Sequence, residues 1–269
     1  MACRNAYQAA RITKEEAEII RSSITEPQAA QSVNRLLFGV DTNTPANNLL
    51  QNNIDHFEWV VRNKINPNFY GRNIDGDNSL TKEEIHYIHT HGCKVAAICS
   101  FVGEKTEEEQ GISYAETIGA KARELGIPEG SAIFLVIPEN EAICHTYMRG
   151  FAMQLMIAGY TPGFQANTDA IYDFDREFGR GMQVNREVFK KCLIWATSPV
   201  VPEYDRITTS HLIHPDEWKP FAPSCISRRE IAIWQYGKNA HPIEDDAGNE
   251  TAFNLNLVRN EQIIIEKMF

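Results

Sequence analysis

The sequence has little of what characterises disordered, fibrous or disulfide-stabilised proteins. Only 16 of its 269 residues are glycine and 12 are proline, whereas 43% are hydrophobic. This is the balance of an ordinary folded chain. The six cysteines include no Cys-x-x-Cys pair, so we expect buried free thiols and neither a zinc ribbon nor a disulfide scaffold. A chain of this length buries a sizeable core without such cross-links.

Long apolar runs are also absent. No stretch reaches the roughly 18 to 20 apolar residues that a membrane span needs. The first 20 residues carry charges throughout and have no apolar segment followed by a cleavage site of small residues, so no signal peptide is predicted. We therefore expect no membrane partner and a chain that is cytoplasmic as synthesised. Any action on a glycan outside the cell would then require release or delivery by another system.

Positive charge is in short supply as well. Lys and Arg total 26 against 36 Asp and Glu, which gives a formal net charge of -10 at pH 7. Such a chain is repelled by phosphate backbones, so we expect no nucleic-acid partner. No glycine-rich phosphate loop, nucleophile elbow or Cys/His dyad appears, which disfavours nucleotide-dependent and acyl-transfer enzymes. We expect no cofactor and no bound metal.

What the sequence does contain is an alternation of short apolar runs with helical patterns. The eight runs are 36–42, 68–73, 94–101, 132–139, 161–167, 192–198, 231–236 and 252–258, and the helical segments are 46–64, 81–91, 113–126, 141–158 and 184–190. Repetition of strand and helix is typical of a parallel sheet. We predict an α/β fold, a single (β/α)8 TIM-like barrel over residues 36–269. Residues 1–35 are predicted to form an N-terminal helical extension with a capping box at Thr13 and Glu16.

Polar side chains close the predicted strands. In a barrel the carboxyl ends of the strands gather at one face, where the active sites of such enzymes lie. Alternation along each strand selects the candidates, which are Asp41, Tyr70, Arg72, Glu139, Gln165, Asn167, Trp195, Thr197, Gln235, Asn254 and Asn256. Amides and Arg hydrogen-bond sugar hydroxyls, and Trp and Tyr offer apolar faces to a sugar ring. Two carboxylates among them suit glycoside hydrolysis.

Eight motifs carry a resemblance to a known family. They are GVDTNTPAN (39–47), FYGR (69–72), LTKEEI (80–85), the run from KAREL to LVIPE (121–139), GYTPGFQANTD (159–169), LIWAT (193–197), IAIWQYG (231–237) and FNLNL (253–257). In this order they resemble the glycoside-hydrolase-like TIM-barrel domain of unknown function. That family is related to the family-25 glycoside hydrolases, lysozymes that cleave the bacterial cell-wall glycan. The resemblance covers residues 36–258.

The resemblance implies a hydrolase of peptidoglycan or another N-acetylated glycan. Glu139 takes the place of the family's general acid, and Asp41 is implied to act as base or charge stabiliser, with Asn254 orienting an N-acetyl group. Tyr70, Arg72, Gln165, Asn167, Trp195 and Gln235 are implied to bind substrate.

Two acids of the related lysozymes are missing from this chain. Ile137 stands where the first acid of an Asp-x-Glu motif would be, and Asn254 stands where an Asp-Leu-Asn motif has its acid. The alternative is therefore a catalytically degenerate barrel that acts as a glycan-binding, structural or cargo module. In that case residues 1–35 would be the segment that docks a protein partner.

Two further patterns resemble metal sites. Residues 73–84 space oxygen side chains as a calcium loop does, with Asn73, Asp75, Asp77 and Glu84 in ligand positions, but Asn78 replaces the expected glycine. The alternative is a polar loop leading into a helix capped by Thr81. The histidines at 86, 89 and 91 offer no evident third ligand, so we expect a solvated helix end.

Overall fold

The eight apolar runs form the strands of one closed barrel. The computed structural model describes residues 36–50, 53–100, 103, 106–139, 141–201, 217–244, 248 and 250–269. Its strands are β1 (Leu37–Asp41), β2 (Leu49–Leu50), β3 (Ile54–Asp55), β4 (Phe69–Asn73), β5 (Lys94–Cys99), β6 (Ala132–Ile137), β7 (Thr161–Ala166), β8 (Leu193–Val201), β9 (Ile231–Glu244) and β10 (Glu250–Val258). β2 and β3 pair separately, and the other eight close the barrel. The predicted TIM-like barrel is confirmed, and the predicted helical extension at 1–35 lies outside the described residues.

One strand of the barrel runs against the others. β1 and β4 to β9 are parallel to one another, whereas β10 is antiparallel to both of its neighbours, β9 and β1. Only residues 245–249 lie between β9 and β10, and a parallel crossover needs a dozen or more residues. The expectation of parallel strands throughout is therefore wrong at β10. Its reversed direction places Asn254 opposite Asp41 and Asn256 opposite Gly39.

Helices surround the barrel in the described part of the chain. They are α1 (His56–Arg62), α2 (Lys82–Thr90), α3 (Glu108–Leu125), α4 (His145–Ile157), α5 (Asp173–Val184), α6 (Arg186–Phe189) and α7 (Glu261–Lys267), with a 3-10 turn at Arg228–Glu230. The helix predicted at 46–64 is shorter because the β2–β3 pair precedes it. α5 was not predicted, since Gly179 and Gly181 lower its helix propensity. None of these helices combines the length and apolar content needed to cross a bilayer.

Aromatic side chains fill the inside of the barrel below its mouth. Phe69 and Phe134 pack edge-on against Trp195, with ring centroids 6.1 and 5.3 Å away. We call these three rings the aromatic plug. Gly39 makes room for it, because a Cβ at that position would lie 2.1 Å from the Phe69 ring. A second apolar layer fills the space between strands and helices. The barrel is thus a packed core, and open space begins only above the plug.

Candidate active site

A cavity of about 820 Å³ opens at the mouth of the barrel, above the aromatic plug. Polar side chains from most of the barrel strands and the loops after them line it. They comprise the acids Asp41, Asp75, Asp77, Glu139 and Glu141, the amides Asn43, Asn73, Asn78, Gln165, Gln235 and Asn254, the hydroxyls of Thr42, Ser100 and Thr197, and the cation Lys238. Among the described residues that line the cavity there are five acids and one cation, so this part of the lining is strongly acidic. Such a lining favours a neutral, hydroxyl-rich ligand over an anionic one.

Asp41 is a buried carboxyl group of this cavity. It is only 6% exposed, and both of its oxygens accept hydrogen bonds from β10: Oδ2 from Asn254 Nδ2 at 2.8 Å and Oδ1 from Asn256 Nδ2 at 2.7 Å. Burial raises the pKa of Asp41, although the hydrogen bonds from Asn254, Asn256 and Gln165 oppose that shift. The amides therefore hold the carboxyl group in one orientation.

The orientation of Asn256 is itself determined by the aromatic plug. Trp195 Nε1 donates to Asn256 Oδ1 at 2.8 Å. An indole nitrogen can only donate, so the amide oxygen of Asn256 must face Trp195 and its nitrogen must face Asp41. A chain of hydrogen bonds thus runs from Trp195 in the aromatic plug, through Asn256, to the carboxyl group of Asp41.

Glu139 lies in a different environment, just beyond the end of β6. Its side chain is exposed, and its Oε1 accepts a hydrogen bond from Asn167 Nδ2 at 3.0 Å. Asn167 itself borders a small adjoining depression and does not line the main cavity. The structure therefore brings Glu139 and Asp41 to one cavity, with Asn167 positioned to orient Glu139.

The two buried glutamines contact each other beside these carboxyl groups. Gln165 Nε2 donates to Gln235 Oε1 at 3.3 Å, and both residues line the cavity. With Asn254 they supply the amide donors and acceptors that a sugar's hydroxyl and N-acetyl groups require.

Tyr70 and Arg72 do not reach the cavity, which corrects the placement expected from the sequence. They share a face of β4 as predicted, but the pleat directs that face toward the helices, while Phe69 packs inside the barrel. Arg72 is fully buried and pairs with Glu84 of α2, with Nε 2.7 Å from Oε1. It also donates to the carbonyl oxygens of Thr42 and Asn78, each at 2.7 Å. Arg72 thereby fixes the loops after β1 and β4.

Trp195 likewise does not line the cavity. It is fully buried in the plug, so it cannot offer a face to a sugar ring. Its contribution to the site is the hydrogen bond that orients Asn256.

The calcium-loop alternative at residues 73–84 is contradicted. Glu84, which would be the twelfth-position ligand, is 1% exposed and bound to Arg72. Thr81 instead caps α2 by accepting a hydrogen bond from the backbone nitrogen of Glu84 at 3.1 Å. The capped-helix interpretation is therefore the correct one, and Glu84 has a structural role.

Asp75 is a site residue that sequence reasoning considered only as a calcium ligand. Its carboxyl group lines the cavity and accepts hydrogen bonds from the Tyr114 hydroxyl and from the backbone nitrogen of Ser100. Burial raises the pKa of Asp75 against these hydrogen bonds. Its position could have identified it from the sequence, because Asp75 lies two residues after β4, at the same end of the barrel as Asp41.

Comparison with known proteins places this barrel in a family. The sequence model of the Rv2525c-like, glycoside hydrolase-like domain matches residues 64–252. An uncharacterised B. stearothermophilus protein of known crystal structure is 24% identical, with a TM-score of 0.71 over 87% of this chain and all of that one. At that identity the likeness shows the fold.

Two further solved structures, an autolysin and a lysozyme, are more distant. The modular autolysin LytC from Streptococcus pneumoniae is 10% identical, with a TM-score of 0.46 over 83% of this chain and 46% of that one. The bacterial lysozyme from Streptomyces coelicolor is also 10% identical, with a TM-score of 0.45 over 83% of this chain and 92% of that one. No curated protein matches the chain.

Proposed function

The chain belongs to the Rv2525c-like, glycoside hydrolase-like domain family, and from that premise we propose that its barrel mouth binds and hydrolyses an N-acetylated glycan of the peptidoglycan type. The observation that carries the proposal is the pair of hydrogen bonds from the amides of Asn254 and Asn256 to Asp41, which we call the amide clamp. A buried carboxyl group that accepts hydrogen bonds on both oxygens, in a cavity shared with a second, exposed carboxyl group, supports this proposal, because glycoside hydrolysis uses two carboxyl groups.

The two carboxyl groups take different roles in this proposal. Asp41 accepts hydrogen bonds on both oxygens, which suits an anion that stabilises positive charge at the sugar carbon or activates water. Glu139 is exposed to the cavity and takes the role of general acid toward the glycosidic oxygen of the leaving sugar. Asn167 holds one oxygen of Glu139 and so fixes the direction of that proton transfer.

The remaining lining supports a neutral substrate. Gln165, Gln235 and Asn254 present amides to hydroxyl and N-acetyl groups, and the surrounding acids repel anionic sugars. An N-acetyl group can itself assist hydrolysis, as in some glycosidase families, which lessens the need for the acids that this chain lacks.

The test is mass spectrometry of soluble fragments released from purified peptidoglycan and from an N-acetylglucosamine oligomer. The wild type is expected to release fragments whose new reducing ends identify the bond cut, and Asp41→Asn is expected to release far fewer. Calorimetry with the same oligomer measures binding in parallel. Saturable binding by a folded wild type that releases nothing would instead identify a degenerate, glycan-binding barrel.

A further inference from the structure

Three metal-ligating side chains meet where α4 begins, away from the main cavity. Cys144 precedes the helix, His145 is its first residue, and Glu177 projects from α5. Cys144 Sγ lies 3.7 Å from His145 Nδ1, and His145 Nδ1 lies 3.0 Å from Glu177 Oε2. All three ligand atoms fall within 4.8 Å of one another.

We propose that Cys144, His145 and Glu177 bind a divalent transition-metal ion, with zinc the favoured one. Zinc takes thiolate at about 2.3 Å and imidazole or carboxylate at about 2.0–2.2 Å in tetrahedral geometry. Those lengths imply a sulfur-to-nitrogen edge of about 3.6 Å and a nitrogen-to-oxygen edge of about 3.3 Å. The observed separations of 3.7 and 3.0 Å are close to both edges. Three protein ligands leave the fourth position for water.

The surrounding hydrogen bonds orient the ligands as an outer shell does. Arg180 and Arg176 donate to Oε1 of Glu177 at 2.7 and 3.1 Å, and this leaves Oε2 for His145. Glu177 is 4% exposed, so these contacts hold its carboxyl group in one orientation, with Oε2 toward His145.

Charge at the proposed site is close to balanced when an ion is bound. A thiolate and a carboxylate together offset a divalent cation. Arg176 is additionally paired with Asp173, at 2.8 Å, so the neighbouring guanidinium groups do not leave the site with a large positive excess.

The thiol is what distinguishes this cluster from a simple helix cap. Glu177 Oε2 also accepts from the backbone nitrogen of His145 at 3.3 Å, which by itself ties α4 to α5. That cap needs no cysteine, and Cys144 makes no capping hydrogen bond although it occupies the position where Ser, Thr, Asp or Asn is preferred. Thr146 Oγ1 lies 3.1 Å from Cys144 Sγ and donates its single proton to the carbonyl oxygen of Thr106 at 2.8 Å, so the thiol of Cys144 makes only a weak hydrogen bond that a metal ion can replace.

The location gives the ion a positioning role. Cys144 ends the loop that follows β6 and carries Glu139 and Glu141, both of which line the mouth. An ion bound by Cys144 and Glu177 fixes the end of that loop against α5. This inference stands whether or not the mouth hydrolyses a glycan.

Cobalt is the probe for the test, because its absorption reports both thiolate ligation and tetrahedral geometry. The untagged full-length chain, reduced and freed of metal with a chelator, is titrated with Co²⁺ and then with Zn²⁺. We expect one equivalent of Co²⁺ to produce a thiolate charge-transfer band, which Zn²⁺ abolishes. Zn²⁺ should also raise the Tm of the wild type.

Cys144→Ser decides the outcome, with Cys225→Ser as the matched control at an exposed thiol that borders Arg176 and Arg180 but does not belong to the three-ligand cluster. Cys144→Ser is expected to lose the band and to weaken Zn²⁺ binding at least tenfold, since even an outer-shell partner contributes 10–100-fold. His145→Gln should do the same, and Cys225→Ser should bind as the wild type does. A folded wild type without the band, or a band that survives Cys144→Ser, would overturn the proposal.

Discussion

Asp41 and Glu139 line one cavity, but their surroundings differ in burial and in hydrogen bonding. Asp41 is buried and held by amides of Asn254 and Asn256, whereas Glu139 is exposed and has one hydrogen bond to Asn167. The held group is fixed in one position. The exposed group is open to the leaving oxygen of a bound substrate.

The departure at Asn254 explains part of this contrast. The sequence resemblance implies an acid at that position in related families, and here an amide nitrogen lies 2.8 Å from Asp41 Oδ2. Two carboxyl groups at that distance would have to share a proton. The amide removes that requirement, because it donates a hydrogen bond to Asp41 and brings no second carboxyl group.

The largest effect is expected from Arg72→Met. This variant tests whether the loops after β1 and β4 are held in place by the buried ion pair of Arg72 with Glu84. Removing Arg72 leaves the carboxylate of Glu84 buried without its partner, and breaking such a pair costs about 3–5 kcal/mol. Urea unfolding measures the loss. Arg62→Met is the control, because the exposed pair of Arg62 with Glu58 is worth about 0.2–1 kcal/mol. Equal losses in the two variants would mean that Arg72 does not fix these loops.

Trp195→Phe tests the hydrogen-bond chain below Asp41. Loss of the indole N–H leaves Asn256 Oδ1 buried without a donor, which costs about 1–3 kcal/mol. The amide of Asn256 is then free to rotate away from Asp41. We expect a fall in kcat that exceeds any change in KM. Phe134→Leu disturbs the same plug without touching this hydrogen bond, so its kcat should stay near the wild-type value. Matching losses of kcat would contradict the chain.

Asn254→Asp returns an acid to the clamp and should make stability more dependent on pH. Paired carboxyl groups raise each other's pKa in the folded state. Stability from a raised pKa is present at low pH and is lost as the pH rises through the folded value. The variant is therefore expected to fall further below the wild type as pH increases above 4, by about 1.4 kcal/mol for each unit of the pKa rise. Denaturant unfolding between pH 4 and pH 8 measures this, and a constant difference would argue against the pairing.

Much of this arrangement could be predicted from the sequence. Alternation within β7 and β9 placed Gln165 and Gln235 at the mouth, and the apolar runs located all eight barrel strands. On β4 the same reasoning selected the wrong face, because both faces of that strand are buried and its pattern carries no inside-outside signal.

The features that were missed depend on contacts distant in sequence. The direction of β10 follows from the short connection after β9, and the role of Asp75 follows from Tyr114, a residue of α3. The cluster at Cys144 and His145 becomes visible only when α5 brings Glu177 against them. None of these partners lies within the range of local periodicity.

The most direct test of the two-carboxyl account is the rate at which wild type and Glu139→Gln generate reducing ends from the same N-acetylated oligomer. Glu139 is exposed, so the variant should keep the wild-type Tm. The account predicts a fall in kcat of about 10²–10⁴-fold, the contribution of a general acid. An active wild type matched by an equally active Glu139→Gln would contradict it.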